Sequence, residues 1–140
     1  MQAYRSLVYA ENVSFHSNVA GIQGGGVSLQ ALFIASKFVA NMANSTGGGG
    51  LHHTGSAVTL NSSTFVGNTA GSDSFSDSWS NAGGGVFGQA CTGPMEMINS
   101  TALSNVATGR GGAVVALSCA VSLTGTQLKD NTAQVGVTRW

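Results

Sequence analysis

Phe38-Val-Ala-Asn41-Met-Ala43-Asn-Ser-Thr-Gly-Gly48-Gly49-Gly50-Leu51 holds two short frames side by side. The first is an apolar residue, two variable positions, Asn, one variable position and Ala. It recurs five times, as Phe15 to Ala20, Phe38 to Ala43, Phe65 to Ala70, Ala102 to Ala107 and Leu128 to Ala133. The Asn and the Ala never vary. The second frame follows the first four copies as Gly24-Gly25-Gly26-Val27, Gly48-Gly49-Gly50-Leu51, Gly83-Gly84-Gly85-Val86 and Gly111-Gly112-Ala113-Val114. Successive Asn are separated by 23, 27, 37 and 26 residues, a period near 25 with one insertion, 71–82.

Between the glycines and the next Asn, apolar residues alternate with period two, as in Val58-Thr-Leu60 and Val121-Ser-Leu123. Alternation of this kind specifies strand, and no segment carries a helical apolar stripe. Each unit is expected to hold about three short strands, with corners at the glycine run and at the Asn-x-Ala step. A strand-only unit of this size cannot bury its own apolar face, but stacked units can. The predicted fold is all-β: a right-handed parallel β-helix of about four full coils and a partial one. All of 1–140 forms one segment of it, read as a fragment of a longer protein.

In such a stack equivalent residues lie about 4.8 Å apart. Asn18, Asn41, Asn68, Asn105 and Asn131 then form a ladder, each amide donating to and accepting from its neighbours. Phe15, Phe38 and Phe65 form an inward aromatic stack that Ala102 and Leu128 continue less fully. Cys91 and Cys119 each lie six residues beyond the third position of a glycine frame, Gly85 and Ala113. Stacking brings them within disulfide range; they bridge in an oxidising compartment and form a thiol stack in a reducing one.

Charge is scarce. Five Lys or Arg balance five Asp or Glu, and charged residues make up 7% of the chain. An ordinary soluble domain has about 25%. Without a basic excess there is no footprint for nucleic acid, and no apolar run is long enough for membrane insertion. Met1 to Ala10 lacks the apolar core of a signal peptide. The segment therefore reads as cytosolic or, as the fold favours, as part of a longer exported protein.

The two frames resemble the tandem repeats of the chlamydial polymorphic outer membrane proteins, Phe-x-x-Asn alternating with Gly-Gly-Ala and an aliphatic residue. Phe15 to Asn18, Phe38 to Asn41 and Phe65 to Asn68 match the first element, and Gly111 to Val114 matches the second. The resemblance spans Val13 to Ala133. It implies a β-helix exposed at the cell surface as the passenger of an autotransporter, with a role in adhesion.

Chemistry is sparse. Polysaccharide cleavage needs two or three converging carboxylates. Of Glu11, Asp73, Asp77, Glu96 and Asp130, only Asp73 and Asp77 are close in sequence, and no basic residue accompanies them. They sit in the insertion with Phe75 and Trp79, and these four residues are the candidate ligand loop. His52 and His53 adjoin on a strand, point to opposite faces and cannot share a metal in the simple geometry. No metal or cofactor is expected. Thr54, Thr59, Thr92 and Thr124 do not repeat in register, against an ice- or crystal-binding array. Asn12, Asn44, Asn61 and Asn99 begin Asn-x-Ser/Thr sequons, and none of them is a ladder residue.

The expected function is a non-enzymatic spacer or adhesin-like surface of a secreted or cell-surface protein. Its partner would be a glycan or a cell-surface protein. The alternative is a carbohydrate-binding or pectate-lyase-like β-helix. Unpaired strands at the ends of the coil favour end-to-end self-association.

Overall fold

A computed structural model describes residues 8–22, 24–28, 31–45, 47–55, 57–71 and 82–134. Its first coil carries β1 (Val8–Glu11), β2 (Ser14–His16), β3 (Val19–Ala20) and β4 (Val27–Ser28). The second carries β5 (Ala31–Ile34), β6 (Lys37–Val39), β7 (Met42–Ala43) and β8 (Leu51–Thr54). The third repeats the order with β9 (Val58–Asn61), β10 (Thr64–Val66), β11 (Thr69–Ala70) and β12 (Val86–Gln89). The fourth has β13 (Met95–Ile98), β14 (Thr101–Leu103), β15 (Val106–Ala107) and β16 (Val114–Leu117). After it come β17 (Val121–Thr124), β18 (Gln127–Lys129) and β19 (Thr132–Ala133).

Strands stack by repeat into four sheets: β1-β5-β9-β13-β17 (sheet 1), β2-β6-β10-β14-β18 (sheet 2), β3-β7-β11-β15-β19 (sheet 3) and β4-β8-β12-β16 (sheet 4). The pairings among the described residues are all parallel and hold like over like, Phe15 on Phe38 on Phe65 on Ala102 on Leu128. The chain is an all-β parallel solenoid. It differs from the sequence expectation in having four strands per coil rather than three. The Asn and the residue before it make the second corner, and the x-Ala pair that follows is a two-residue strand in its own right, too short for alternation to register.

The corners are left-handed. Asn12, Ala35, Ser62 and Asn99 turn the chain from sheet 1 to sheet 2 at φ between 47° and 55° for the two Asn, 46° for Ala35 and 50° for Ser62. Ser17, Ala40, Ser104 and Asp130 do the same from sheet 2 to sheet 3. Each such non-glycine residue costs about 1–2 kcal/mol of local strain. The stack offsets it, because the corner N–H groups donate to the next coil: Asn12 to the Ile34 carbonyl, Ala40 to Val66 and Ser104 to Lys129.

The glycine frame does two jobs. Its first residue turns at positive φ, as Gly48 does at 80°. Its last lies under the next coil: a Cβ on Gly85 would sit 2.6 Å from the Ala113 carbonyl oxygen. The missing methyl of the Gly-Gly-Gly copies is therefore a packing requirement.

The core lies inside the coil. Phe38 stacks on Phe15 at 5.0 Å and on Phe65 at 4.5 Å, with planes 17° and 4° apart. Phe33 meets Phe38 edge-on at 5.1 Å. Ala102 ends the aromatic column; in that coil the facing strand β13 supplies the buried Met95 and Met97 instead. Methionine adapts to irregular space, which suits it to a coil whose aromatic ring is missing.

Two side-chain ladders close the corners on either side of sheet 2. In the Asn ladder, Asn68 Oδ1 accepts from both the backbone N–H and Nδ2 of Asn41, each at 3.0 Å. Asn68 Nδ2 donates to Asn105 Oδ1 and to the Phe38 carbonyl, each at 2.9 Å. Its backbone N–H also donates to Asn105 Oδ1. Asn105 bonds Asn131 in the same way, and Asn18 bonds Asn41. The second ladder, Ser36, Ser63, Ser100 and Thr126, was not anticipated. The backbone N–H of Ser63 donates to Ser100 Oγ at 3.0 Å, and that hydroxyl donates on to the Ile98 carbonyl at 2.9 Å. Ser36 repeats the arrangement with Ser63, and Thr126 Oγ1 donates to the Met97 carbonyl.

Position along the ladder sets the cost of breaking it. Asn68→Ala removes the acceptor of the buried Asn41 backbone N–H and of one Asn41 Nδ2 hydrogen, a loss of roughly 3–5 kcal/mol from desolvated groups. Asn18→Ala removes one side-chain bond at an exposed end and is expected to cost about 1 kcal/mol. Urea denaturation of the two variants checks the ranking, and equal losses would contradict it.

Candidate functional site

The candidate ligand loop residues Asp73, Phe75, Asp77 and Trp79 lie outside the described residues. Its anchors are described. Gly71 follows β11 and donates its N–H to the Ala43 carbonyl at 2.7 Å. Ala82 is buried, and its carbonyl accepts from Gly48 N–H at 3.0 Å. The insertion thus departs from sheet 3 and returns just ahead of sheet 4.

The outer face of sheet 4 is unusual for a solenoid exterior. Leu51, Val86 and Val114 face the core, so the next residues, His52, Phe87 and Val115, face outward. They are nonetheless only 2–3% exposed, and Phe87 and Val115 form a second apolar cluster with Ala82. The residues around the glycine frame cover them: a Cβ on Gly47 would lie 2.6 Å from the Phe87 ring, and one on Gly111 would strike the Val115 side chain. The opposite-face placement of His52 and His53 fits the strand geometry, and both are buried. His52 stands 5.3 Å from the Phe87 ring, and its Nε2 has no hydrogen-bond partner among the described residues. Burial first, and then the adjacent His53, push its pKa from 6.5 down to about 4.

Carboxylates do not converge among the described residues. Glu11 accepts from the Tyr9 hydroxyl at 2.8 Å in the first coil, and Glu96 accepts from Thr59 Oγ1 at 3.3 Å in the fourth. Those two coils are about 14 Å apart at the ordinary strand spacing. Asp130 lies on a corner beyond sheet 2. No three of His, Cys, Asp and Glu come together among the described residues.

Cys91 and Cys119 follow the equivalent corners Ala90 and Ser118 and are joined by a disulfide, with their Cα atoms 4.8 Å apart. The link ties the third coil to the fourth.

The outer faces of sheets 2 and 3 carry three rows. They run Ser14, Lys37, Thr64, Thr101, Gln127; then His16, Val39, Val66, Leu103, Lys129; then Val19, Met42, Thr69, Val106, Thr132. Thr64 and Thr101 therefore do stack, a register missed in the sequence, although Lys37 and Gln127 interrupt the row. The middle of this surface is free of charge and made of β-branched and aliphatic residues.

The chain matches no protein family, no curated protein and no solved structure.

Two outcomes follow from this geometry. A depressed His52 pKa means that the unfolded chain binds the extra proton. Stability is complete above pH 6.5 and falls as pH drops from 6.5 to about 4, by about 3 kcal/mol. His52→Phe, which matches Phe87 in the same row, should remove most of that slope in denaturation curves at pH 7 and pH 4.5. The disulfide closes a loop with a sequence separation of 28. Replacing both cysteines by serine is expected to cost about 3–4 kcal/mol on the chain-entropy account. A loss below about 1 kcal/mol would show that the two coils hold together without the link.

Proposed function

We propose that this chain is a non-enzymatic β-helix segment of a secreted or cell-surface protein, serving as a rigid spacer that presents an adhesive surface. The observation that carries this reading is the unbroken register of the Asn ladder beneath the outer face of sheets 2 and 3, whose middle carries no charge. Such a stack holds its outer rows in register without spending any residue on chemistry. Separation of the described carboxylates favours a non-enzymatic role. The Cys91–Cys119 bridge favours an oxidising, extracellular compartment. The Phe-x-x-Asn and Gly-Gly-Ala frames favour a relationship to the chlamydial polymorphic outer membrane proteins, with adhesion to a glycan or a cell-surface protein.

The test is binding of the purified chain to glycan arrays and to a panel of cell-surface proteins. Val66→Lys and Leu103→Lys place charge in the middle of the outer row of sheet 2 and are expected to weaken binding at least tenfold. Loss in Trp79→Ala with those two variants unaffected would instead support the carbohydrate-binding alternative.

A further inference from the structure

We propose that Cys91, Cys119 and Met95, once the disulfide is reduced, form a binding site for one copper(I) ion at the seam between the third and fourth coils. The inference rests on the fold and not on the adhesive reading. Three sulfurs converge beside β12. A Cβ built on Gly88 would have as its nearest atoms, chain neighbours apart, Met95 Sδ at 3.2 Å, Cys119 Sγ at 3.4 Å and Cys91 Sγ at 3.6 Å. The space that a side chain would take at Gly88 is therefore bordered by sulfur. The thioether stands only where the cysteines do: in the row of Met95, Val58 lies one coil before and Val121 one coil after.

Backbone bonds independent of the disulfide hold all three positions. The Ala90 N–H donates to the Leu117 carbonyl at 2.8 Å, close to both cysteines in the chain. The Thr92 N–H donates to the Gly55 carbonyl at 2.9 Å, and the Met95 N–H to the Ala120 carbonyl at 2.8 Å. Reduction thus parts two sulfurs without dispersing the three. Both cysteines are half-buried, which gives a reductant and an ion their access, while Met95 is fully buried. The donor set selects the ion. Thiolate and thioether are soft ligands that suit copper(I). Structural zinc takes four ligands, and no His, Asp or Glu joins the two cysteines among the described residues. The steps balance. A dithiol reductant passes two electrons to the S–S bond and becomes a disulfide itself, and each cysteine sulfur takes up one proton. Copper(I) then binds both sulfurs as thiolates and releases those two protons, while the neutral Met95 sulfur donates a lone pair. The metal keeps its oxidation state in that second step.

The test titrates the intact chain, reduced with dithiothreitol and desalted without oxygen, with copper(I) against bicinchoninate as competing chelator. One ion should bind per chain, with three sulfurs around it in the X-ray absorption spectrum, and the oxidised chain should bind none at the same concentrations. Met95→Leu conserves core volume and should weaken binding at least tenfold and leave two sulfurs on the metal. Met97→Leu, on the same strand, should bind like wild type. Where reduction costs the chain its β-sheet spectrum, stoichiometric copper(I) should restore it. The sulfur count on the wild-type chain decides even where Met95→Leu fails to fold. A reduced chain that takes up no copper(I), a wild-type site with two sulfurs only, a folded Met95→Leu chain that binds like wild type, or an unfolded reduced chain that copper(I) does not refold overturns the proposal.

Discussion

An amide side chain has two donor hydrogens and an oxygen that accepts twice, and a buried one must use them all. In an interior coil Asn68 does so only because Asn41 lies one coil before it and Asn105 one coil after it. The constraint reaches the whole coil. A slip of one residue at any corner would pull the amide off its neighbours and bury five unpaired groups instead of five hydrogen bonds. Register is therefore specified by polar geometry, while the phenylalanine column and the aliphatic rows supply the driving force. The serine and threonine ladder repeats the device at the corner before sheet 2, so that this sheet is pinned at both ends.

Much of this was legible in the sequence because a solenoid repeats its demands. Asn and Ala at invariant offsets could be read as a ladder and a tight interior position, and counting from the glycine frame brought Cys91 over Cys119. The hydroxyl ladder carried the same signal, since Ser36, Ser63, Ser100 and Thr126 all lie two residues before the first position of the Asn frame. It escaped notice because serine before a strand is the ordinary composition of an exposed turn, and because Val13 breaks the series in the first copy. Sheet 3 escaped for a different reason: a strand of two residues has no alternation to detect.

The outer cluster of sheet 4 was beyond sequence reasoning altogether. Period two correctly places His52, Phe87 and Val115 on the outside, and the usual inference is that outside means solvated. Burial there is a tertiary effect to which residues around the glycine frames contribute, packing against the outer face of sheet 4. Function is the least legible layer. The same frame that determines the coil leaves the outward positions unconstrained, so their residues differ from coil to coil and no site can be counted off by period.

The direction of the hydrogen bonds has a mechanical consequence. Nearly every bond between coils points along the axis of the stack, so tension applied to the two chain ends meets them one coil at a time rather than all together. Once its end coil yields, such a structure lengthens one coil after another, like thread from a spool. The sulfur link between the third and fourth coils interrupts that unwinding, because the backbone between Cys91 and Cys119 cannot lengthen while the covalent bond lasts. Under load the segment behaves as an extensible tether with a built-in stop, and a reducing environment would release it.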